Sequence, residues 1–272
     1  MSASPTVYSP GGIAIRSLSK RYGRGGGSSS KETPPYILKD VSLTIPRGEF
    51  HIFLGSSGCG KSTLLNIVAG FLQATEGNVL VDDKEVSRPG RDRGVVFQNA
   101  DSAIFPWLTV AQNVGYGLRM GHTPKRQRLE TVERCIRLVG LDGHEKKFPS
   151  ELSGGMKQRV QIARSVANDP STLILDEPFG ALDAQTRKVM QDELIHVWKE
   201  TGKTILFVTH DILEAVYLGQ KVSIFTPGPE AHIQETVSID SPYPRDLTSP
   251  DLGRTIKHIE SFFEAPTAAT QS

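Results

Sequence analysis

The run Gly55-Ser56-Ser57-Gly58-Cys59-Gly60-Lys61-Ser62 reads G-x-x-x-x-G-K-S, a set of residue types and a spacing that can hold a polyphosphate. The glycines let the backbone curl until successive N–H groups point inward at phosphate oxygens, and Lys61 adds a point charge for the outer phosphates. The hydroxyl of Ser62 can ligate Mg²⁺, and Thr63 completes the loop. A strand-like run, Phe50–Leu54, precedes the loop and a helix-like run, Lys61–Phe71, follows it. The positive end of a helix dipole therefore falls where the phosphates would lie. These flanks set the loop apart from a chance Gly/Ser match, and the chemistry they predict is binding of a nucleoside triphosphate. Cys59 lies inside the loop, so its thiol is a candidate for alkylation that MgATP would block.

Hydrolysis of such a ligand needs a metal, a positioned water and stabilisation of developing charge. Asp176 closes the wholly apolar run Thr172–Leu175, as a Mg²⁺-organising carboxylate should, and Glu177 is placed one residue on to polarise the attacking water. Gln98 ends the run Val95–Phe97 and offers an amide that can ligate metal or bridge water to the γ-phosphate. His210 ends the run Thr204–Thr209 and can hydrogen-bond the γ-phosphate. Taken singly, each of these residues reads as an ordinary solvated turn residue, and only the joint pattern gives them weight.

A second anion site is written at Leu152-Ser153-Gly154-Gly155-Met156. Ser153 is a good N-cap, and Gly154 and Gly155 leave the helix start open to an anion. One nucleotide rarely needs two such sites from one chain. The pattern predicts that each chain lends this helix to the nucleotide of a second copy; a plain N-capped helix is the alternative.

The elements that must position these groups alternate. Ile13–Ser19 and Val41–Ile45 alternate like strands, and Asn78–Val81 and Gly94–Phe97 add two more. Between them Arg24–Pro35 is a Gly/Ser-rich insertion, expected as a flexible loop. The middle reads as helical: Leu129, Val132, Ile136 and Val139 recur at helical spacing before a capping Gly140, and Met156, Val160, Ala163 and Val166 share a face of a second helix. Strand Thr172–Leu175, a helix striped by Met190, Leu194, Val197 and Trp198, and strand Thr204–Thr209 then imply a parallel α/β sheet with right-handed crossovers. Ligands of such sheets sit beyond the carboxyl ends of the strands, where Lys61, Asp176 and His210 all fall. Val222–Phe225 and Ile233–Ile239 read as two further strands, Ser241–Arg245 as a Pro-rich linker, Leu252–Phe263 as a short helix and Ala265–Ser272 as a frayed end.

Composition narrows the field. A formal net charge of +1 gives no global field for nucleic acid, and Cys59 and Cys135 are too few for a disulfide framework, which fits a reducing cytosol. Met1–Pro10 is polar, so no secretory signal is expected, and no run approaches the roughly 18 apolar residues that span a bilayer. Any membrane role is expected to pass through a partner.

With these motifs in hand, the chain resembles the nucleotide-binding subunit of an ABC transporter. The phosphate loop at Gly55–Ser62, the acidic motif Leu173–Glu177, the signature Leu152–Met156, the glutamine at Gln98 and the histidine at His210 all match, and Ala181-Leu182-Asp183 matches the loop that crosses the dimer. Gly180 stands where serine is common, and Tyr22 is placed where the family stacks an aromatic ring on adenine. Within the superfamily, Gly94–Asn99, Phe105-Pro106-Trp107 with Asn113-Val114, and Gly180–Asp183 look like the nitrate/sulfonate/taurine importers.

The resemblance implies an α/β P-loop NTPase cassette: a RecA-like mixed sheet core, an antiparallel β subdomain and an inserted helical signature subdomain. The division expected is a flexible N-terminus over 1–12, an ATPase domain over 13–240 with its helical part at about 100–168, and a C-terminal extension over 241–272. It also implies a head-to-tail homodimer sandwiching two ATP with Mg²⁺, each ATP held by Tyr22, the Gly55–Thr63 loop, Gln98, Asp176, Glu177 and His210 of one chain and by Ser153, Gly154 and Gly155 of the other. Two transmembrane permease subunits and, through them, a solute-binding protein are the implied partners, with the ATPase peripheral on the cytoplasmic face of the membrane. Pro106-Trp107 would lie near the permease, although by its own chemistry it reads equally as a packed loop with a core tryptophan. Three rivals remain: an ABC ATPase not coupled to transport, a P-loop kinase or GTPase with no use for Leu152–Gly155, and a non-hydrolytic module with no use for Lys61, Asp176, Glu177 and His210.

Overall fold

The structure, a computed structural model, describes residues 11–22 and 34–264. The expected flexible N-terminus up to residue 10, the Gly/Ser insertion up to residue 33 and the end from residue 265 lie outside the described residues.

Two sheets carry the fold. The larger has six strands in the order β10-β9-β3-β8-β7-β6. These are β3 (Phe50–Leu54), β6 (Arg93–Val96), β7 (Thr172–Asp176), β8 (Thr204–Thr209), β9 (Lys221–Phe225) and β10 (Ile233–Ser238). All pairs are parallel except β9 with β10, which is antiparallel, so the sheet is mixed. The smaller sheet is antiparallel, in the order β2-β1-β4-β5, from β1 (Gly12–Lys20), β2 (Leu38–Pro46), β4 (Glu76–Val81) and β5 (Lys84–Glu85). A parallel bridge between Leu38 and Ala231 stitches the two sheets together.

Period-2 alternation decides what each face of β3 buries. Phe50, Ile52 and Leu54 point into one apolar cluster with the helical region, and Phe53 points into the other, between α1 (Lys61–Ala69) and the antiparallel sheet. All three helix signals of α1 are local. Gly60 enters at φ 96°, Leu64, Leu65, Ile67 and Val68 are buried, and Gly70 leaves at φ 84°. The helix therefore stops at Ala69, two residues short of the sequence expectation. The left-handed Gly70 lets Phe71 N–H close on Asn66 O at 2.8 Å. A Cβ at Gly70 would meet the Arg88 carbonyl carbon at 2.4 Å, so only glycine fits there.

Between β6 and β7 lie α2 (Ala100–Ala103), α3 (Val110–Val114), α4 (Tyr116–Met120), α5 (Lys125–Leu138) and α6 (Gly154–Ala167). α5 buries Val132, Cys135 and Ile136, with Val139 beside them. Leu129, expected on that stripe, is 57% exposed; Cys135 takes the place at the inner face. After β7 come α7 (Ala184–Thr201), β8, α8 (Ile212–Leu218) and β9, and after β10 comes α9 (Pro250–Ser261).

The segment Ser241–Arg245 is a docked strap rather than the linker expected from its prolines. Arg245 is buried; it donates from Nη1 to the carbonyls of Val216 (2.8 Å) and Gly219 (2.5 Å) and from Nη2 to Ile239 O (3.1 Å). Tyr243 Oη donates to Leu218 O at 2.5 Å, so the last carbonyls of α8 are capped by side chains from the strap. Leu252 and Ile259 of α9 join the main core cluster.

Candidate functional site

The groups gathered by motif lie at the carboxyl ends of β3, β7 and β8. Gly58 and Gly60 take φ of 81° and 96°, and a Cβ at Gly58 would meet nothing within 4 Å, so the loop is an open curl that glycine makes affordable. Lys61 is 4% exposed, and its Nζ donates to the carbonyls of Gly55 (2.7 Å) and Ser56 (2.9 Å). The loop thus folds around its own lysine. Tyr22, 45% exposed, reaches across from the end of β1, with its hydroxyl 3.5 Å from Thr63 Oγ1.

Opposite the loop, Ser62 Oγ donates to Asp176 Oδ1 at 3.0 Å. Burial pushes the Asp176 carboxyl above its ordinary value; the adjacent Glu177 charge pushes the same way, while the Ser62 hydrogen bond and Lys61 oppose it. Glu177 sits at φ 44°, a left-handed conformation that a non-glycine residue rarely adopts. Its N–H bonds to Val208 O at 3.1 Å and its carbonyl accepts from Gly180 N–H at 3.2 Å, which pin the turn. Its Oε2 is 3.1 Å from His210 Nδ1. The two consecutive carboxylates therefore diverge, one to the phosphate-loop serine and one to the histidine of the next strand.

Gln98 follows β6. A Cβ at Gly180 would sit 3.7 Å from Gln98 Nε2 and 4.0 Å from Glu177 Oε2, so the glycine keeps these two side chains and the loop in close company. Ser153 N-caps α6, accepting from Met156 N–H at 3.3 Å. Gly155 has no room for a side chain, since its Cβ would lie 2.8 Å from Thr186 Cγ2. Gly154 backs onto Leu182 and Gly155 onto Thr186, and among the described residues no hydrogen bond joins Ser153, Gly154 or Gly155 to the Gly55–Thr63 loop. Asp183 N-caps α7, accepting from Thr186 N–H at 3.0 Å, and this bond holds its carboxyl below the usual range.

Cys59 departs from expectation. It is fully buried in the cluster with Phe53, Leu64 and Phe225, and a Cβ at Gly55 would come within 2.9 Å of its sulfur. The thiol is packing rather than an open nucleophile.

Among the described residues there is no cluster of three His, Cys, Asp or Glu that could cage a metal. The donor set is instead one serine hydroxyl and one carboxylate, Ser62 and Asp176, with the Gln98 amide beside Gly180. That suits Mg²⁺, which keeps waters and phosphate oxygens in its shell and takes few protein ligands. A desolvated carboxylate beside a second carboxylate also favours a cation. The residues present fit MgATP.

Several supports carry no motif signal. Gln161 clamps the residue before Gln98, accepting from Phe97 N–H (2.6 Å) and donating to Phe97 O (3.2 Å). Glu214 on α8 accepts from Thr209 Oγ1 (2.6 Å) and Gln191 Nε2 (3.1 Å), and burial raises its pKa. Asn113, fully buried, bonds the backbone of Phe105, Leu108 and Thr109 and so shapes the loop that displays Trp107. The only sequence trace of Gln161 is a polar residue on an otherwise buried helix face, whereas Asn113 belongs to the Asn113-Val114 pair that the family resemblance singled out without showing what its side chain does.

Trp107 is 69% exposed, which removes the core-tryptophan reading. It rests on Phe105, whose ring packs at a tilt of 52° against Tyr116 and is covered by the Arg164 guanidinium at 4.4 Å.

Comparisons with known proteins follow the same lines. Residues 38–180 match the protein-family model described as ABC transporter. The taurine import ATP-binding protein TauB of Escherichia coli O157:H7 is 44% identical over 226 residues, covering 83% of this chain and 87% of that protein. The aliphatic sulfonates import ATP-binding protein SsuB of Bacillus licheniformis is 44% identical over 238 residues, covering 88% and 89%. Among solved structures, the dimeric post-hydrolysis state of the ATP-binding cassette MJ0796 bound to ADP and Pi is similar with a TM-score of 0.69 at 30% identity, over 84% of this chain and 99% of that one.

Proposed function

The chain belongs to the ABC transporter family as an ATP-binding subunit, and from that premise we propose that it hydrolyses ATP to drive uptake of a small anionic solute of the taurine, aliphatic sulfonate or nitrate type through two partner membrane subunits. The observation that carries the hydrolytic reading is the divergence of two consecutive carboxylates: Asp176 to Ser62, Glu177 to His210.

In this reading Lys61 exchanges the carbonyls of Gly55 and Ser56 for phosphate oxygens, and the N–H groups of the Gly55–Thr63 loop with the start of α1 hold the remainder. Tyr22 stacks on the base. Ser62, Asp176 and Gln98 would hold Mg²⁺, which when bound would neutralise phosphate charge. Glu177 orients the attacking water and takes its proton, and His210 keeps Glu177 aligned and bonds the γ-phosphate. Ser153, Gly154 and Gly155 stay open on the face of α6 until a second copy presents its nucleotide to them, and Asp183 meets that second copy too. The dimer closes on ATP and opens after hydrolysis because the two nucleotides differ in affinity for the closed form.

Among the described residues no helix is long and apolar enough to cross a membrane. The likeness to import ATP-binding proteins is what supports coupling to transport through permeases at the cytoplasmic face and, beyond them, a solute-binding protein. Trp107 on its aromatic base is the anchor offered to a permease, since exposed aromatic rings of this kind dominate interfaces.

The test is affinity purification of the full chain from its native membranes together with an ATPase assay. Two integral membrane subunits and Lys61-dependent ATP hydrolysis are expected. Hydrolysis with nucleic acid or ribosomes in place of membrane proteins would establish the uncoupled ATPase instead, and unchanged ATP binding in Lys61→Ala would overturn the site.

A further inference from the structure

Arg187, in the first turn of α7, spans two segments that the proposed mechanism uses but does not connect. Its Nη2 donates to Leu182 O at 3.1 Å, within the Gly180–Asp183 loop. Its Nη1 lies 3.7 Å from Asp211 Oδ2, next to His210. Asp211 is itself fixed: its N–H donates to Thr209 Oγ1 at 3.0 Å and its Oδ1 accepts from Glu214 N–H at 3.1 Å, capping α8. The guanidinium lines a small cavity of about 50 Å³ shared with Glu177, Gly180, Thr209, His210 and Glu214. Its Nε is buried with no acceptor among the described residues, where the group is held by two contacts rather than by a saturated network.

We propose that Arg187 is a positioning residue that ties the Gly180–Asp183 loop to the turn carrying His210, so that contact of the loop with a second copy sets the alignment of His210 on Glu177 in the same chain. The inference rests on the homodimer reading above. Arginine suits the task because its planar group donates in two directions at once, whereas a lysine offers one point charge. A loop displaced by a partner pulls on Leu182 O, and the pull reaches Asp211 through one planar guanidinium that holds both contacts. Half-engaged dimers then hold His210 out of line, which makes hydrolysis cooperative in ATP.

The experiment compares the full-length chain with Arg187→Ala and Arg187→Lys, and with Arg187→Met, which keeps the stem packing should the alanine variant unfold. Expected for the removal variants are a kcat lower by about tenfold, since small misplacement of a reacting group has costs of this order or larger. The ATP dissociation constant stays within about twofold, and the Hill coefficient for ATP falls towards 1. Arg187→Lys recovers less than half of the lost rate. Adding Asp211→Asn, which keeps the Oδ1 cap on α8 and removes only the charge that faces Arg187, to Arg187→Ala should lower kcat no further, because both act through one tie. A residue that only stabilises the fold would lower the melting temperature and leave the Hill coefficient alone, and that result overturns the proposal. MgATP-driven dimerisation of Glu177→Gln is scored in parallel. No dimer there means that the homodimer reading has failed, whereas a dimer alongside an unaltered Hill coefficient means that only the tie has failed.

Discussion

Ser62 and Asp176 are 114 residues apart in sequence and are joined by a 3.0 Å hydrogen bond from Oγ to Oδ1. The bond closes the gap between the phosphate loop and the end of β7, and it brings together a hydroxyl and a carboxylate that each suit Mg²⁺ better than they suit each other.

Because burial raises the Asp176 pKa, the folded chain holds that proton more tightly than the unfolded one does. Its contribution to stability is then present at acid pH and is lost as pH rises through the raised value. A bound cation reverses the balance by favouring the ionised form. The melting temperature with MgATP minus that with ATP and EDTA should widen as pH rises from about 4, the ordinary carboxylate value, to neutrality. Asp176→Asn should flatten the difference, and Ser62→Ala should shrink it. Thermal scans across that range check the point, and a difference independent of pH in the wild-type chain counts against Asp176 as the metal-facing group.

Glu177 is held at φ 44° with Oε2 3.1 Å from His210 Nδ1, an alignment kept at the cost of backbone strain. Glu177→Gln keeps the shape and removes the base. It should lower kcat by about 10²-fold or more while leaving ATP affinity within about threefold. With turnover blocked, MgATP should shift the chain to a dimer in size-exclusion chromatography. Wild-type turnover by this variant would remove Glu177 from the reaction.

Cys59 is fully buried between the phosphate loop and the α1 cluster, and Cys135 is buried in α5 with its thiol pushed up by burial. Maleimide labelling of the native chain should be slow at both positions and fast after denaturation, and MgATP should slow Cys59 further by tightening the loop. Mass spectrometry of the labelled peptides checks this. Rapid native labelling of Cys59 would mean that the loop opens far more readily than its packing implies.

Motif and periodicity made legible what is local in this protein. The glycines that curl the phosphate loop, the apolar runs of β3, β7 and β8 and the Ser153 cap each declare themselves within a few residues, and so the sheet and its strand ends could be placed. Burial that depends on distant packing could not be read. Leu129 keeps perfect helical spacing yet faces solvent, because the neighbours of α5 cover only the side of Val132 and Ile136. Cys59 looked electropositive from its neighbours, and its burial comes from Phe225, 166 positions away in the numbering. The strap at Ser241–Arg245 looked like a linker because proline marks loops, and only the carbonyls at the end of α8 explain why an arginine belongs there. Arg187 and Gln161 bond backbone groups of other segments, a role that leaves no pattern in the chain.

His51 illustrates the same limit on the far side of the central strand and yields a pH dependence of its own. Fully buried on β3, it pairs through Nδ1 with Glu49 Oε1 at 2.7 Å and through Nε2 with Ser223 Oγ at 2.8 Å. Lys221 Nζ reaches the other Glu49 oxygen at 3.1 Å, and Thr236 Oγ1 completes the row at 2.8 Å from Ser223 Oγ. Burial depresses the His51 pKa, Lys221 adds to the effect, and the bond to Glu49 only partly offsets it. For Glu49 burial works upward, but its bonds to His51 and Lys221 prevail and hold the carboxyl below its ordinary value. Both shifts act in one direction: the folded chain binds fewer protons than the unfolded chain, so stability is complete above about pH 6.5 and is lost as pH falls below it. His51→Gln removes one titrating group and weakens one of two buried bonds. It should cost about 1–3 kcal/mol at pH 7.5, yet lose less than the wild type between about pH 6.5 and pH 5. Denaturant unfolding at these pH values measures both quantities. A wild-type stability that stays level through that window, or a variant that falls just as steeply, would show that His51 does not set the acid limit of this fold.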